Sequence, residues 1–465
     1  MAYNDLYIQM KAINRSLAAL KILTGDECIR TMPQGISFQN TLVCNLRCPH
    51  CQTHGNEKDR IYYNGIRMSQ EMLYRAAREV LPTADEYLFT VSGEPLTTPN
   101  MNILLREFSQ YAAKIEMHTN GTLITPEILV HLLPAAKGIH VSIDGATPFV
   151  LEATRKGAKY DRLMHNIRLL TRSVEMLPDH MRPMIYFGCT IMASNVRELS
   201  AMVELAHLLG VHHVYGYFVV IYHNELRQED IQLHQRLYNA CRQQAVDTAN
   251  RLGVHLCIPP AFEGVVPSLE GPLGGSERII GRFPKNYPES LNAVHELKDL
   301  VDVEKVEKQA MQVRDQILGR LKDKRLFSGY RDMMGGVRQY IGLKRLQRYY
   351  HRTLRQHKTT LEEALTSENQ QTIKFCESLY RRLYLSPTGK VIPCCYIYHP
   401  LGDASNECIG DIWNGEAYRN FRAKFLSENP PKECIGCHNI SWVRPVDLAR
   451  DLCSCLNGNL VFRPT

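Results

Sequence analysis

Cys44, Cys48 and Cys51 stand within eight residues of one another, in the stretch TLVCNLRCPHCQTHG (41–55), at the end of a short apolar run. Thiolates separated by three and then two residues suit a loop wrapped around one compact inorganic centre. A structural zinc asks for four ligands and usually presents paired Cys-x2-Cys knuckles. A cubane of four irons takes one thiolate per iron, so three thiolates leave one iron open to an outside ligand. The competing reading is a zinc loop completed by a distant ligand, His50 or His54.

A second concentration of thiols lies far downstream. Of fifteen cysteines, eight fall between 376 and 455, and only Cys28, Cys189, Cys241 and Cys257 are scattered, as buried small hydrophobes would be. FCESLYRRLYLSPTGKVIPCC holds Cys376 and Cys394, with Gly389 serving a tight turn between them, and CIGC supplies Cys434 and Cys437. Four thiols, two adjacent and two brought in by a hairpin, make a closed metal site, for which zinc is the local alternative. The chain shows no export signal, and in a reducing compartment clustered thiols point to metal, not disulfides.

The first loop resembles the signature of the radical S-adenosylmethionine (SAM) superfamily, Cys-x3-Cys-x2-Cys after a first strand, with His50 where that family usually carries an aromatic residue. SGEP (92–95) resembles the family's GGEP turn, whose backbone edge binds the SAM amino group; Ser replaces the first Gly. The resemblance implies SAM contacts for Ser92, Gly93 and Glu94. HTNGT, with Asn120 and Gly121, resembles another strand-end loop beside the cofactor, and HVSIDGA puts Ser142 and Asp144 at a strand end. ATRKGAKYDRLMHNIRLL resembles the segment whose arginine, here Arg155, pairs with the SAM carboxylate. Thr190 is placed to reach the ribose. The downstream cysteines, with IGDIWN (409–414), resemble the SPASM/twitch extension, implying one auxiliary 4Fe-4S cluster on Cys376, Cys394, Cys434 and Cys437. The tighter cysteine spacing that adds a second cluster to full SPASM domains is missing, leaving Cys395, Cys408, Cys453 and Cys455 as material for one.

These residues need a scaffold. From 36 to 260 short apolar runs alternate with helical patterns, which implies parallel strands joined by right-handed crossovers. Six such units make an α/β fold, a partial (β/α)6 barrel with its chemistry at the C-terminal strand ends. Residues 1–35 form an N-terminal helical segment, amphipathic rather than secretory. Residues 261–371 are a Pro/Gly-rich loop followed by a basic helical insertion, and 372–465 form the small cysteine-rich SPASM/twitch domain. In the insertion, residues 301–358 carry fifteen Lys and Arg against six Asp and Glu, more than the +7 net charge of all 465 residues. That insertion reads as a helix packed on the barrel, as a lid meeting an anionic substrate, or as a contact with an anionic membrane surface. Tyr349 and Tyr350 among arginines allow nucleic-acid stacking, which ranks last because no binding module is recognisable. No segment is long and apolar enough to span a bilayer, so a cytoplasmic location is the default.

The resemblance implies an enzyme: an electron donor such as flavodoxin or ferredoxin reduces the SAM-binding 4Fe-4S cluster. SAM is then cleaved to a 5′-deoxyadenosyl radical that abstracts hydrogen from an organic substrate, and the auxiliary cluster aids oxidation. About 35 residues precede the first strand with no leader-binding module among them, which favours a small, sugar-like or carrier-linked substrate over the alternative, a ribosomal peptide. Readings from other classes are a zinc-binding adaptor and an iron–sulfur electron carrier. No catalytic side chain is assigned; Tyr217, Tyr222, His223 and Glu225 are acid–base candidates by position alone.

Overall fold

The computed structural model describes residues 3–89, 92–269, 301–322, 333–366, 372–397, 399–437 and 439–456, with the backbone alone at 3–4, 321–322, 333–339, 366 and 451–456. Seven parallel strands pair in sequence order: β1 (Gly35–Phe38), β2 (Glu86–Phe89), β3 (Lys114–Thr119), β4 (Ala136–Ser142), β5 (Met184–Ile191), β6 (His213–Phe218) and β7 (His255–Cys257). The sequence dictates the two faces of this sheet. In β3, Ile115, Met117 and Thr119 are buried under the crossover helices, while Glu116 and His118 turn to the other, concave face. The helices answer with one apolar side each. In Gln70–Val80, Leu73, Ala76, Ala77 and Val80 are buried at helical spacing, and the Ser69 side chain caps the first turn by accepting from Met72 N.

The cysteine-rich segment is built into this sheet. β8 (Ile373–Cys376) pairs only with β12 (Ile440–Val443), but β9 (Arg382–Leu385) runs parallel to β1, with Ser37 opposite Tyr384. β10 (Lys390–Ile392) and β11 (Gly402–Asp403) follow antiparallel, giving ten strands in the order β11-β10-β9-β1 to β7. Charges bind the seam: Arg382 pairs with Glu86, and Lys137 reaches Glu86 at 2.7 Å and Glu116 at 3.1 Å. Among the described residues no pairing joins β7 to β11, so the barrel stays open.

The N-terminal helix, Tyr3–Thr24, departs from the amphipathic expectation. Lys11, Asn14, Ser16 and Lys21 are buried along with its apolar residues, because it is packed on several sides. Helices Met333–Gln356 and Pro445–Leu456 lie against it, and it meets the chain just before β1 and β2. Asn14 Nδ2 donates to Met32 O at 2.9 Å, and Lys11 Nζ donates to Leu81 O at 3.2 Å and to Ala84 O. Burial pulls the Lys11 ammonium down to about 8.

The described insertion helices take the packed position, not the lid. Val303–Lys322 lies on helices Pro126–Leu132 and Tyr160–Glu175, outside the sheet, where Arg172 forks onto Glu307 at 2.7 Å. Met333–Gln356 rests on the N-terminal helix, with the Tyr349 hydroxyl accepting from Arg30 N at 2.7 Å. Both are thereby held away from the C-terminal strand ends. The loop over 270–300 lies outside the described residues. No described helix is long and apolar enough to cross a membrane.

Candidate functional site

The loop after β1 brings Cys44, Cys48 and Cys51 to the C-terminal end of the sheet. Its turns are closed locally: Cys51 N donates to Cys48 O at 3.0 Å, and Gly55 N to Cys51 O at 2.9 Å. Cys48 is buried and the other two thiols are partly so. Burial pushes the Cys44 thiol up to about 11 and Cys48 further, so these sulfurs ionise readily only beside a compensating cation. The proposed fourth zinc ligands look elsewhere. His54 Nε2 meets Leu42 O at 2.7 Å, and His50 Nε2 faces Asp144 Oδ2 at 3.4 Å. Among the described residues no three of His, Cys, Asp and Glu gather around a single ion-sized point.

The turn after β2 is moulded onto this loop. Glu94 N donates to Val43 O at 2.9 Å. Gly93 has φ +78°, and a Cβ there would stand 2.6 Å from Thr41 O and 2.9 Å from Val43 O, so only glycine fits. The Glu94 side chain, 1 % exposed, turns inward. It accepts from Thr119 Oγ1 and Asn120 N, both at 2.7 Å, and from Leu96 N at 3.2 Å, tying the end of β2 to that of β3. Burial nevertheless raises its carboxyl to about 7. Asn120 Nδ2 donates to Asn45 Oδ1 at 2.9 Å, beside Cys44, so the third strand end also braces the cysteine loop.

From β4 the fully buried Asp144 organises the other side. Its Oδ1 accepts from Thr190 N at 2.8 Å, and its Oδ2 lies 2.6 Å from Arg155 Nε. Burial opposes the charge on Arg155, but Asp144 and the neighbouring Cys48 hold the guanidinium firmly protonated. Arg47 N donates to Lys156 O at 2.8 Å, pinning the Arg155 segment to the cysteine loop. Ser92, Gly93, Asn120, Ser142, Arg155 and Thr190 thus come from the ends of β2 to β5, around one loop. Of the acid–base candidates, His223 is engaged by Asn56 Nδ2 at 3.2 Å and Asp59 at 3.5 Å. Tyr217 is 54 % exposed, on the strand paired with that of Thr190.

The downstream cysteines also converge. The thiol of Cys376 is raised by burial and then by Cys394 and Cys437, and that of Cys434, at about 11, by burial and then by Cys376, Cys394 and Cys437. Thiolates within electrostatic reach of one another repel, so these four need a cation or an inorganic cluster to ionise together. Gly389, φ +81°, closes the hairpin that delivers Cys394. Cys395 stays with this set, whereas Cys408 is exposed and caps helix Ile409–Trp413, whose first amide donates to Glu79 at 2.7 Å. The side chains of Cys453 and Cys455 lie outside the described residues. Cys395 lines one small cavity with Ser92, so the downstream set lies beside the turn after β2.

Sequence reading missed a rung of rings across the concave face. His118, His140, Tyr186, His213 and His255 are successive partners on β3 to β7. The first three stack at 4.2 and 4.4 Å between centroids. His140 Nδ1 meets the Tyr215 hydroxyl at 3.2 Å, over Gly188, where a Cβ would stand 2.7 Å from that oxygen. Burial takes His140 down to about 3, so its ring is neutral. The signal was present: every strand from β3 to β7 places His or Tyr on its concave side.

Comparison with known proteins follows the same division. The model of the Radical SAM superfamily matches residues 41–177, and that of the SPASM iron–sulfur cluster-binding domain matches 376–438. An AdoMet-dependent heme synthase of Methanosarcina barkeri is 28% identical over 191 residues, 40% of this chain and 51% of that protein. The mycofactocin maturase MftC of Mycobacterium tuberculosis is 24% identical over 183 residues, 38% of this chain and 43% of that protein. The chain thus spans about half the length of the curated relatives it matches. Among solved structures, SuiB of Streptococcus suis bound to S-adenosylmethionine aligns with a TM-score of 0.47 and 10% identity, over 88% of this chain and 71% of that one. The enzyme anSMEcpe with bound AdoMet aligns at 0.46 and 12%, over 92% and 98%.

Proposed function

We propose that the chain, which matches the Radical SAM superfamily over 41–177 and the SPASM iron–sulfur domain over 376–438, is a radical SAM enzyme that cleaves SAM reductively to oxidise or modify an organic substrate held at the concave face. The carrying observation is that three thiols on one loop are braced by the Gly93–Glu94 turn, Asn120 and the Asp144–Arg155 pair, with a second thiol set beside that turn. When bound, a 4Fe-4S cluster, SAM and an auxiliary cluster supply one-electron cleavage of the sulfur–C5′ bond, a 5′-deoxyadenosyl radical that takes hydrogen from carbon, and an acceptor for the electron left behind.

The protein's own part is placement. Cys44, Cys48 and Cys51 would hold the 4Fe-4S cluster through their thiolates, and SAM would bind beside it. Glu94, occupied with Thr119 and Asn120, shapes the turn whose Ser92–Gly93 backbone meets the amine. Arg155, fixed by Asp144, keeps guanidinium N–H groups for the carboxylate. Ser142 and Thr190 border the ribose side. Cys376, Cys394, Cys434 and Cys437 hold the auxiliary cluster. An acidic electron-transfer protein of the flavodoxin or ferredoxin kind supplies the electron, and the protein works in the cytoplasm.

A small polar or carrier-linked substrate is the first reading. Modification of a polypeptide is the second, favoured by the maturase relatives and by exposed Ile61, Tyr62, Val220, Tyr222 and Tyr396. Anaerobically reconstituted protein with dithionite and SAM should release 5′-deoxyadenosine, and the triple change Cys44→Ala, Cys48→Ala, Cys51→Ala should abolish it. Continued cleavage by that variant would overturn the assignment.

A further inference from the structure

Where β9 joins β1, the seam encloses a cavity of about 40 Å³ that the roles above leave unused. Ser37, Gln39, Ser92, Tyr384, Ser386 and Cys395 line it, together with two aliphatic residues, and none of these side chains carries a formal charge. Most of the polar groups are engaged. The Tyr384 hydroxyl lies 3.3 Å from Ser378 Oγ, and Ser386 Oγ accepts from Lys390 N at 3.0 Å. Ser37 is the exception. It is 2 % exposed, and its hydroxyl has no hydrogen-bond partner. Buried hydroxyls are almost always satisfied, so an orphan on a cavity wall marks where a ligand atom belongs.

We infer that this cavity receives a small uncharged hydrogen-bonding group of the substrate, a hydroxyl or a carboxamide, held by Ser37; the inference rests on the reading of the chain as a radical SAM enzyme. Size and chemistry agree. The volume holds about three water-sized groups, which admits a hydroxymethyl or carboxamide end and excludes a ring. With no cation on the wall and cluster thiolates close by, a carboxylate or phosphate would be buried without compensation; with no carboxylate, so would an ammonium. Position agrees too. One wall is Ser92, of the turn that frames the SAM site, and another is Cys395, whose neighbour Cys394 belongs to the auxiliary set. A group anchored here sets its attached carbon between the two centres, and it narrows the substrate to neutral polar ends, away from the anionic class that the basic insertion suggested.

The test uses crystals of the anaerobically reconstituted holoenzyme with SAM, soaked in acetamide or, in parallel, in acetate at equal concentration. Acetamide should occupy the cavity with a polar atom in hydrogen-bond range of Ser37 Oγ, and acetate should be absent. Crystals of Ser37→Ala should lose the acetamide, and Ser37→Thr, which keeps the hydroxyl, should retain it if the fold is intact. Ordered water alone, atoms of SAM itself, equal binding of acetate, or undiminished acetamide in Ser37→Ala would each overturn the inference. Release of 5′-deoxyadenosine by the parent protein, assayed on the same preparation, tests the enzyme reading separately: failure in a preparation that cleaves SAM refutes the cavity alone.

Discussion

The carboxyl of Glu94 pulls two ways, accepting three hydrogen bonds that favour its ionised form while burial raises it to about 7. The raised value sets the sign of a pH effect. Between about 4.5 and 7 the native state binds a proton that the unfolded chain has released, so stability should fall as pH rises through that window and level off above it. The shift corresponds to about 3 kcal/mol as an order of magnitude. Urea unfolding from pH 5 to 8 measures it, and Glu94→Gln should flatten the slope while costing about 1–3 kcal/mol, since an amide cannot accept from both Thr119 and Asn120. Gly93→Ala should cost about 1–3 kcal/mol in backbone strain and clash, read out as loss of iron from the first site with the second retained. Conversely, Cys394→Ala should remove about four irons per chain, while Cys408→Ser, at an exposed helix cap, should leave the iron content unchanged. The cysteines were legible because identity and spacing alone specify a metal loop. The Asp144–Arg155 pair and the inward turn of Glu94 were not, because they depend on which strand ends become neighbours.

At the level of elements, β1 to β6 were legible for a simple reason: short apolar runs between amphipathic helices admit little besides a parallel sheet with crossovers. The place of β9 was not. Its sequence, RLYL, says strand, but nothing in it says that it will pair with a strand some 350 residues earlier. That choice is made by tertiary charges and edges, above all the Arg382–Glu86 pair across the seam, joined by Lys137. Arg382→Ala should therefore cost about 1–3 kcal/mol, because it removes one of the two cations on the partly buried Glu86 carboxylate, and it should loosen the hairpin carrying Cys394. Iron analysis should show the auxiliary set depleted first. The N-terminal helix teaches the same lesson. Polar residues in its pattern read as solvent-facing, yet Lys11 and Asn14 are buried because backbone carbonyls before β1 and β2 accept from them.

Over the whole molecule, the cysteine-rich segment is a continuation of the barrel sheet as much as an appendage to it. A chain ending at residue 371 would bare the hydrogen-bonding edge of β1 and strip the apolar cover from its neighbours. It should aggregate or elute as large species on size exclusion, instead of yielding a soluble barrel. Because β9 is hydrogen-bonded to β1 in fixed register, the spacing between the two thiol sets is not free to drift. It can be retuned over evolution only in pleat-sized steps of about 6.6–6.8 Å, since a one-residue slip would turn every side chain of β9 to the opposite face. The spacing of the two thiol sets is quantised by a β-ladder.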